Sequence, residues 1–204
     1  GFRIVEDASH AIGGRYLDSP IGDCRYSDIV VFSFHPVKII TSAEGGVALT
    51  NDQGLALKMQ QFRSHGITRD PNQMTTTPDG PWYYQQRTLG WNYRLTDLHA
   101  ALGCSQLQRL DHYVAKRHEL ANKYNVLLSG LPLTPLQQRD ECYSSFHLYV
   151  VRLDLKTIGR TKREIFTELR ERGIGVNIHY IPVNSQPYYR QTSSETETPE
   201  ARSY

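Results

Sequence analysis

The feature that most constrains the fold is a short apolar run that leads to a lysine. Residues 29–34, Ile-Val-Val-Phe-Ser-Phe, are β-branched or aromatic apart from Ser33, and the run is too short for a typical helix. Pro36 cannot donate to a sheet ladder and favours an extended residue before it, so the strand must end before Lys38. The sequence therefore predicts a buried strand with Lys38 at its exit, although a lone lysine in such a place is most often a solvated surface residue.

Two further segments are expected to bring polar residues close to Lys38. Residues 44–46, Glu-Gly-Gly, predict a tight turn before a second strand over residues 47–50. The first residues of the chain predict another strand, with Asp7 at its end and His10 three residues later. Because ligands of open α/β sheets bind at strand ends, we expect Asp7, His10 and Lys38 to share a ligand site.

Composition narrows the range of partners. The 204 residues include 23 Lys and Arg against 21 Asp and Glu, a net charge of +2 that predicts neither a nucleic-acid nor a membrane partner. Three widely spaced cysteines without a CxxC pair fit reduced thiols, so we expect a cytoplasmic protein. No HxH or HExxH spacing occurs, so no metal site is predicted.

The remaining patterns alternate between strand and helix. Capping residues and apolar spacing predict helices over residues 53–65, 98–110, 114–128 and 162–172. Further strands are predicted over residues 146–153 and 175–180, and a loop or hairpin over residues 12–24. The turn-rich residues 67–89 predict an active-site or interface loop, and the polar tail after Tyr189 is expected to be disordered.

Four motifs occur in a fixed order along the chain: DASHA at residues 7–11, SFHPVK at 33–38, EGG at 44–46 and GWNYRLTDLHAALG at 90–103. Together they resemble the pyridoxal-phosphate (PLP) sugar aminotransferases of the DegT/DnrJ/EryC1/StrS family, over nearly the whole chain. The resemblance implies an α/β, fold-type I aminotransferase. Residues 1–110 would form the C-terminal part of the large PLP-binding domain, and residues 111–204 a truncated small α/β domain.

The resemblance also implies roles for individual residues. Lys38 would form the Schiff base with PLP, Asp7 would pair with the pyridinium nitrogen, and His10 would lie beside the ring. Ser33 would bind the cofactor phosphate, and Asn92 would reach the phosphate of a neighbouring subunit, which implies a homodimer with shared active sites. Read alone, Asp7 could only cap a turn, His10 could only pack, and Asn92 could only belong to a loop.

The implied substrates are a nucleotide sugar and an amino-acid donor. Asn177, Ile178, His179 and Tyr180 fall where family members contact the nucleotide sugar, although a buried strand explains these four residues equally well. The implied reaction moves an amino group, from glutamate, to C4 of a 4-keto-6-deoxy UDP-N-acetylhexosamine. A dehydratase is disfavoured because dehydratase relatives replace the lysine that this chain keeps.

Two alternatives remain open. The chain could serve the same chemistry on a different keto-sugar. It could also be a truncated, non-catalytic chain that only dimerises, because it opens inside a strand pattern without Met and family members are roughly twice as long.

Overall fold

A computed structural model describes residues 1–192 and 198–203 of the chain. The chain divides into two compact units. Unit one consists of Gly1–Val126 and Gln137–Tyr149, and unit two of Leu127–Leu136 together with the described part of Val150–Tyr204. The domain boundary predicted after residue 110 concerns the family's large and small domains, and it stays a prediction.

Unit one is built on a three-stranded sheet. Its strands are β1 (Val5–Asp7), β4 (Ile29–Ser33) and β5 (Gly46–Leu49), in the order β1-β4-β5. The pairing of β1 with β4 is parallel and that of β4 with β5 is antiparallel. Val30 and Phe32 are buried on β4 while the residues between them are half-buried, because alternate side chains of a strand point to opposite faces. The strand predicted before Lys38 is therefore present.

Short strand pairs surround this sheet. The hairpin predicted within residues 12–24 is formed by β2 (Arg15–Tyr16) and β3 (Ser19–Pro20), and β9 (Cys142–Tyr143) pairs with β2. Within the long loop predicted over residues 67–89, β6 (Ile67–Thr68) pairs with β7 (Gln85–Gln86), and Pro71–Gln73 forms a single 3-10 turn.

Three helices complete unit one: α1 (Gln53–Arg63), α2 (Asp97–Leu107) and α3 (Leu110–Leu127). The side chain of Asp52 accepts a hydrogen bond from the Leu55 amide at the start of α1, and Thr96 caps α2 in the same way. The predicted helices are present, with α1 and α2 ending earlier than expected. Helix α1 ends before His65 and Gly66 because both adopt positive φ, at 61° and 71°.

The core of unit one lies where the sheet meets α3. Its buried apolar side chains come from β4, from the segments that follow β1 and β4, and from α3: Ala8, Ile12, Val30, Phe32, Ile39, Ile40 and Val114. The two isoleucines directly after Lys38 are among them, so the chain on that side of Lys38 is fixed by burial.

Unit two pairs β8 (Leu133–Pro135) with β10 (Val151–Leu153) in an antiparallel ladder. Its helices are α4 (Leu155–Ile158), α5 (Lys162–Glu171), α6 (Pro187–Thr192) and α7 (Pro199–Ser203), and Val183–Ser185 forms a 3-10 turn. Helix α5 begins with a capping box between Thr161 and Glu164. The predicted α/β fold class is confirmed.

Two predicted strands were wrong in whole or in part. The strand predicted over residues 146–153 begins only at Val151, and Phe146 adopts a φ of 46°, which lies outside the β region. Residues 175–180 form no strand. The chain leaves α5 through Gly173 at a φ of 77°, and the amide of Ile178 donates to the side chain of Asn177 instead of to a ladder.

The tail was expected to be disordered after Tyr189, but its described part includes the end of α6 and all of α7. Residues 193–197 and 204 lie outside the described residues. Within residues 1–192 and 198–203, no helix combines the length and the apolarity needed to cross a bilayer.

Candidate functional site

The candidate site lies at one edge of the sheet in unit one. Strands β1 and β4 run in the same direction with Asp7 opposite Val31, so both strands end at that edge. Asp7 is the last residue of β1 and Ser33 the last residue of β4. This is the sheet edge at which parallel α/β folds bind ligands.

Asp7 is an exposed carboxylate held by its own turn. Its Oδ1 accepts hydrogen bonds from the backbone amide of Ser9, at 3.0 Å, and from the Ser9 hydroxyl, at 2.5 Å. These bonds lower the pKa of Asp7 below its usual value of 3.8, and the positive charges of His10 and Lys38 act in the same direction. Asp7 therefore caps a turn and also carries a negative charge close to His10 and Lys38.

Lys38 is half-buried in a loop with many internal hydrogen bonds. Its backbone amide donates to the carbonyl oxygen of His35 at 2.9 Å. The carbonyl oxygen of Phe34 accepts from the Thr41 hydroxyl at 2.9 Å and from the Ser42 amide at 3.0 Å, which closes the loop behind Lys38. The loop therefore fixes the backbone from which the lysine side chain extends.

The Glu-Gly-Gly motif returns the chain to the sheet. The carbonyl oxygen of Gly45 accepts from the Phe34 amide at 2.8 Å, and Gly45 has a φ of 139° that side chains other than glycine rarely adopt. A Cβ atom on Gly46 would lie 2.6 Å from the carbonyl oxygen of Phe32. Gly45 is therefore required by its backbone conformation, and Gly46 by the close approach of the turn to β4.

A second histidine packs against His10. The ring centroids of His10 and His147 are 4.1 Å apart, with 48° between the ring planes. Burial, together with the positive charges of His10, Lys38 and Arg117, lowers the pKa of His147 from 6.5 to about 4. His147 is therefore neutral at physiological pH.

This pKa has a consequence for stability. A depressed pKa means that the unfolded chain binds more protons than the folded chain between about pH 4 and 6.5. The folded state consequently loses stability as the pH falls through this window.

The other predicted site residues are distributed as follows. The Ser33 hydroxyl lies at the same sheet edge and accepts from the His35 amide at 3.4 Å. Asn92 is exposed in unit one, where its backbone forms an isolated bridge with Ser64. The four predicted sugar-contacting residues, Asn177, Ile178, His179 and Tyr180, lie exposed in unit two.

Sequence reasoning missed three residues that hold this site: Arg117, Ser145 and His147. The Ser145 hydroxyl is buried and donates to the backbone oxygen of His10, 135 positions away in the sequence. The two consecutive serines before an aromatic residue and a histidine were a signal for a non-strand segment. Nothing in the sequence, however, connects that segment with His10.

A large apolar groove lies elsewhere in unit one. Its volume is about 910 Å³ and its lining includes Phe34, Met59, Trp91 and Leu107, but neither Asp7 nor Lys38. Within the described ranges, no group of three or more His, Cys, Asp or Glu residues is placed to hold a metal ion. The charged residues at the sheet edge, and not the groove, define the candidate site.

Comparison with known proteins assigns the family. The sequence profile of the DegT/DnrJ/EryC1/StrS aminotransferase family matches residues 1–204. The chain belongs to this family. The resemblance drawn from the four motifs is therefore confirmed over the whole chain.

Several solved structures are similar to the chain. PseC of Helicobacter pylori, an aminotransferase of pseudoaminic acid biosynthesis, is 33% identical with a TM-score of 0.87, over 98% of this chain and 51% of PseC. The PLP form of Spr1654 from Streptococcus pneumoniae is 30% identical with a TM-score of 0.80, over 95% of this chain and 47% of Spr1654. DesV of S. venezuelae, solved with a ketimine intermediate, is 29% identical with a TM-score of 0.82, over 100% of this chain and 50% of DesV. The chain thus spans about half the length of these relatives.

Proposed function

We propose that this chain carries the lysine-bearing part of a PLP-dependent sugar aminotransferase. The observation that carries the proposal is the grouping of Lys38, Asp7 and His10 at one sheet edge of unit one, in a chain that matches the family throughout. Fold and family alone do not assign a reaction, but this set of side chains supplies the groups that the reaction needs.

The side chains present fit PLP. The cofactor offers an aldehyde, a pyridine nitrogen and a phosphate, and this edge offers an amine on Lys38, a carboxylate on Asp7 and a hydroxyl on Ser33. The low pKa of Asp7 keeps its carboxylate ionised, as a partner of a protonated ring nitrogen must be. When bound, PLP supplies the electron sink for amino-group transfer.

We assign the protein's residues the following roles toward the cofactor. Lys38 would bind the cofactor and, once released, would take and return the substrate proton. Asp7 would hold the positive charge of the ring nitrogen, and Ser33 would bind the phosphate with Asn92 of a neighbouring subunit. His10 would orient the ring from the side.

We further propose the substrates. The similarity to PseC supports a 4-keto-6-deoxy UDP-N-acetylhexosamine as the amino acceptor, with glutamate as the donor. The product would be UDP-4-amino-4,6-dideoxy-N-acetyl-β-L-altrosamine, and Asn177, Ile178, His179 and Tyr180 would contact the sugar nucleotide. The similarity to Spr1654, which is described as a sugar aminotransferase, supports the second candidate, a different keto-sugar. The free thiols Cys24, Cys104 and Cys142 support a cytoplasmic location.

The first experiment tests cofactor binding and the reaction together. We expect the protein, incubated with PLP and dialysed, to keep a visible absorption band, because Lys38 attaches the cofactor covalently. Adding glutamate should bleach the band, and adding the keto-sugar nucleotide should restore it and yield an amino sugar. A colourless dialysed protein would reject the proposal, and a band that responds to glutamate but to no keto-sugar would reject the sugar substrate.

A second experiment tests the shared active site. If Asn92 serves the cofactor of a neighbouring subunit, mixing inactive Lys38→Ala and Asn92→Ala proteins should restore activity, because one site of each heterodimer then keeps both residues. The control mixes Lys38→Ala with Lys38→Ala, which cannot recover. Subunit exchange can be followed by a tag on one variant. If the subunits exchange but no turnover is recovered, Asn92 acts within its own chain or not at all.

A further inference from the structure

The segment that carries His147 is held in place against the candidate site. Phe146 adopts a φ of 46°, in the left-handed region that an aromatic residue seldom occupies. Its amide donates to the Ser144 hydroxyl at 3.0 Å. Arg117 of α3 donates to the carbonyl oxygens of Phe146, at 2.9 Å, and of His147, at 3.2 Å. An unfavourable backbone conformation persists only where surrounding contacts enforce it, and these contacts do so here.

The same segment holds His10 at two points. The Ser145 hydroxyl donates to the backbone oxygen of His10 at 3.2 Å, and Ser145 is only 2% exposed. One residue further on, the His147 ring packs on the His10 ring with centroids 4.1 Å apart. Backbone and ring of His10 are thus both fixed by residues 145–147.

The His147 ring acts through packing. Its Nδ1 is buried and has no hydrogen-bond partner among the described residues. An unpartnered buried nitrogen destabilises a fold, so a planar apolar ring such as that of phenylalanine would leave no polar atom unsatisfied at this place. The low pKa of about 4 means that the ring adds no positive charge beside Lys38 at neutral pH.

We propose that His147 is a positioning residue that fixes the ring of His10 at the edge of the cofactor site. The expected consequence of this positioning is tighter binding of PLP, and that part of the inference rests on the proposed function. The contact between the two rings, however, exists without any ligand, so it can be tested in the protein alone.

The first test measures the His10 ring by NMR in histidine-labelled protein without cofactor. We expect cross-relaxation between the two rings in the wild type and a lower order parameter for the His10 ring in His147→Ala. His147→Phe should restore the order parameter, because it keeps a planar ring without nitrogen. The control is His112→Ala, which removes an exposed histidine of α3. An unchanged His10 order parameter in His147→Ala would overturn the proposal.

The second test is a double-mutant cycle on PLP affinity, measured by titration of the absorption band. We expect His10→Ala and His147→Ala each to weaken PLP binding about tenfold, and the double variant to lose no more than either single variant, since both remove the same contact. His147→Phe should bind PLP as the wild type does. Additive losses, or a His147→Phe protein as weak as His147→Ala, would overturn the proposal.

The two failures are distinguishable. A wild-type protein that retains no PLP rejects the proposed function, and the NMR comparison still decides whether His147 positions His10. If the wild-type protein binds PLP but the losses of PLP affinity in His10→Ala and His147→Ala are additive, the proposed function stands and the positioning role of His147 is rejected.

Discussion

Replacing Lys38 with alanine should reduce transamination by at least about a thousandfold, because the variant loses both the group that attaches the cofactor and the base that moves the substrate proton. The folded state should survive, since Lys38 is half-buried and its loop is closed by Thr41 and Ser42 through contacts that do not involve the lysine side chain. The measurement is initial rate under saturating glutamate and sugar nucleotide, with circular dichroism to confirm folding.

Lys58→Ala is the matched control for this prediction. Lys58 is exposed on α1, and its loss should change the rate by less than about twofold. Borohydride treatment of PLP-loaded wild-type protein should fix the cofactor on the peptide that contains Lys38. Cofactor found instead on the Lys58 peptide, or a Lys38→Ala protein that turns over normally, would remove Lys38 from the mechanism.

Replacing Asp7 with asparagine should lower turnover about a hundredfold, a loss of about 3 kcal/mol of transition-state stabilisation. Asparagine keeps the shape and can still accept from Ser9, so the turn should persist, but it has no charge to hold the ring nitrogen protonated. PLP affinity should weaken only modestly, since Lys38 and Ser33 keep their contacts. Both quantities should be measured on the same protein, by absorbance titration and by initial rate.

The control for Asp7 is Asp23→Asn. Asp23 is exposed and accepts from the amide of Arg25, two residues later, much as Asp7 accepts from Ser9, but it precedes β4 whereas Lys38 follows that strand. Its substitution should leave turnover within about twofold of the wild type. Equal effects of Asp7→Asn and Asp23→Asn would show that Asp7 only caps a turn.

The pH dependence follows from the depressed pKa of Asp7. A carboxyl with a lowered pKa in the folded state stabilises that state above its unfolded pKa and loses this contribution as the pH falls through the folded pKa. Because the folded pKa lies below 3.8, Asp7 stays ionised at mildly acidic pH. Titration of Asp7 therefore does not contribute to the pH profile of activity between pH 5 and 7. If the wild type loses activity in this range, Asp7→Asn should lose the same fraction of its own activity.

The sequence alone determined the α/β class, the strand before Lys38 and the family. The strand depends on information within a few residues, because β-branched side chains and a proline define its end. The α/β class and the family depend on the order of such local patterns and motifs along the chain, which can also be read without the structure. Capping residues next to α1, α2 and α5 fixed where those helices begin for the same reason.

Only the tertiary structure decided what surrounds His10. Ser145 and His147 reach it from 135 or more positions away, and no local pattern encodes a contact that depends on how α3, the sheet and the segment before β10 pack together. The same packing overrode the alternating pattern of residues 146–150. Arg117 and Ser144 hold Phe146 in a left-handed conformation, which turns a predicted strand into the segment that places His147 against His10.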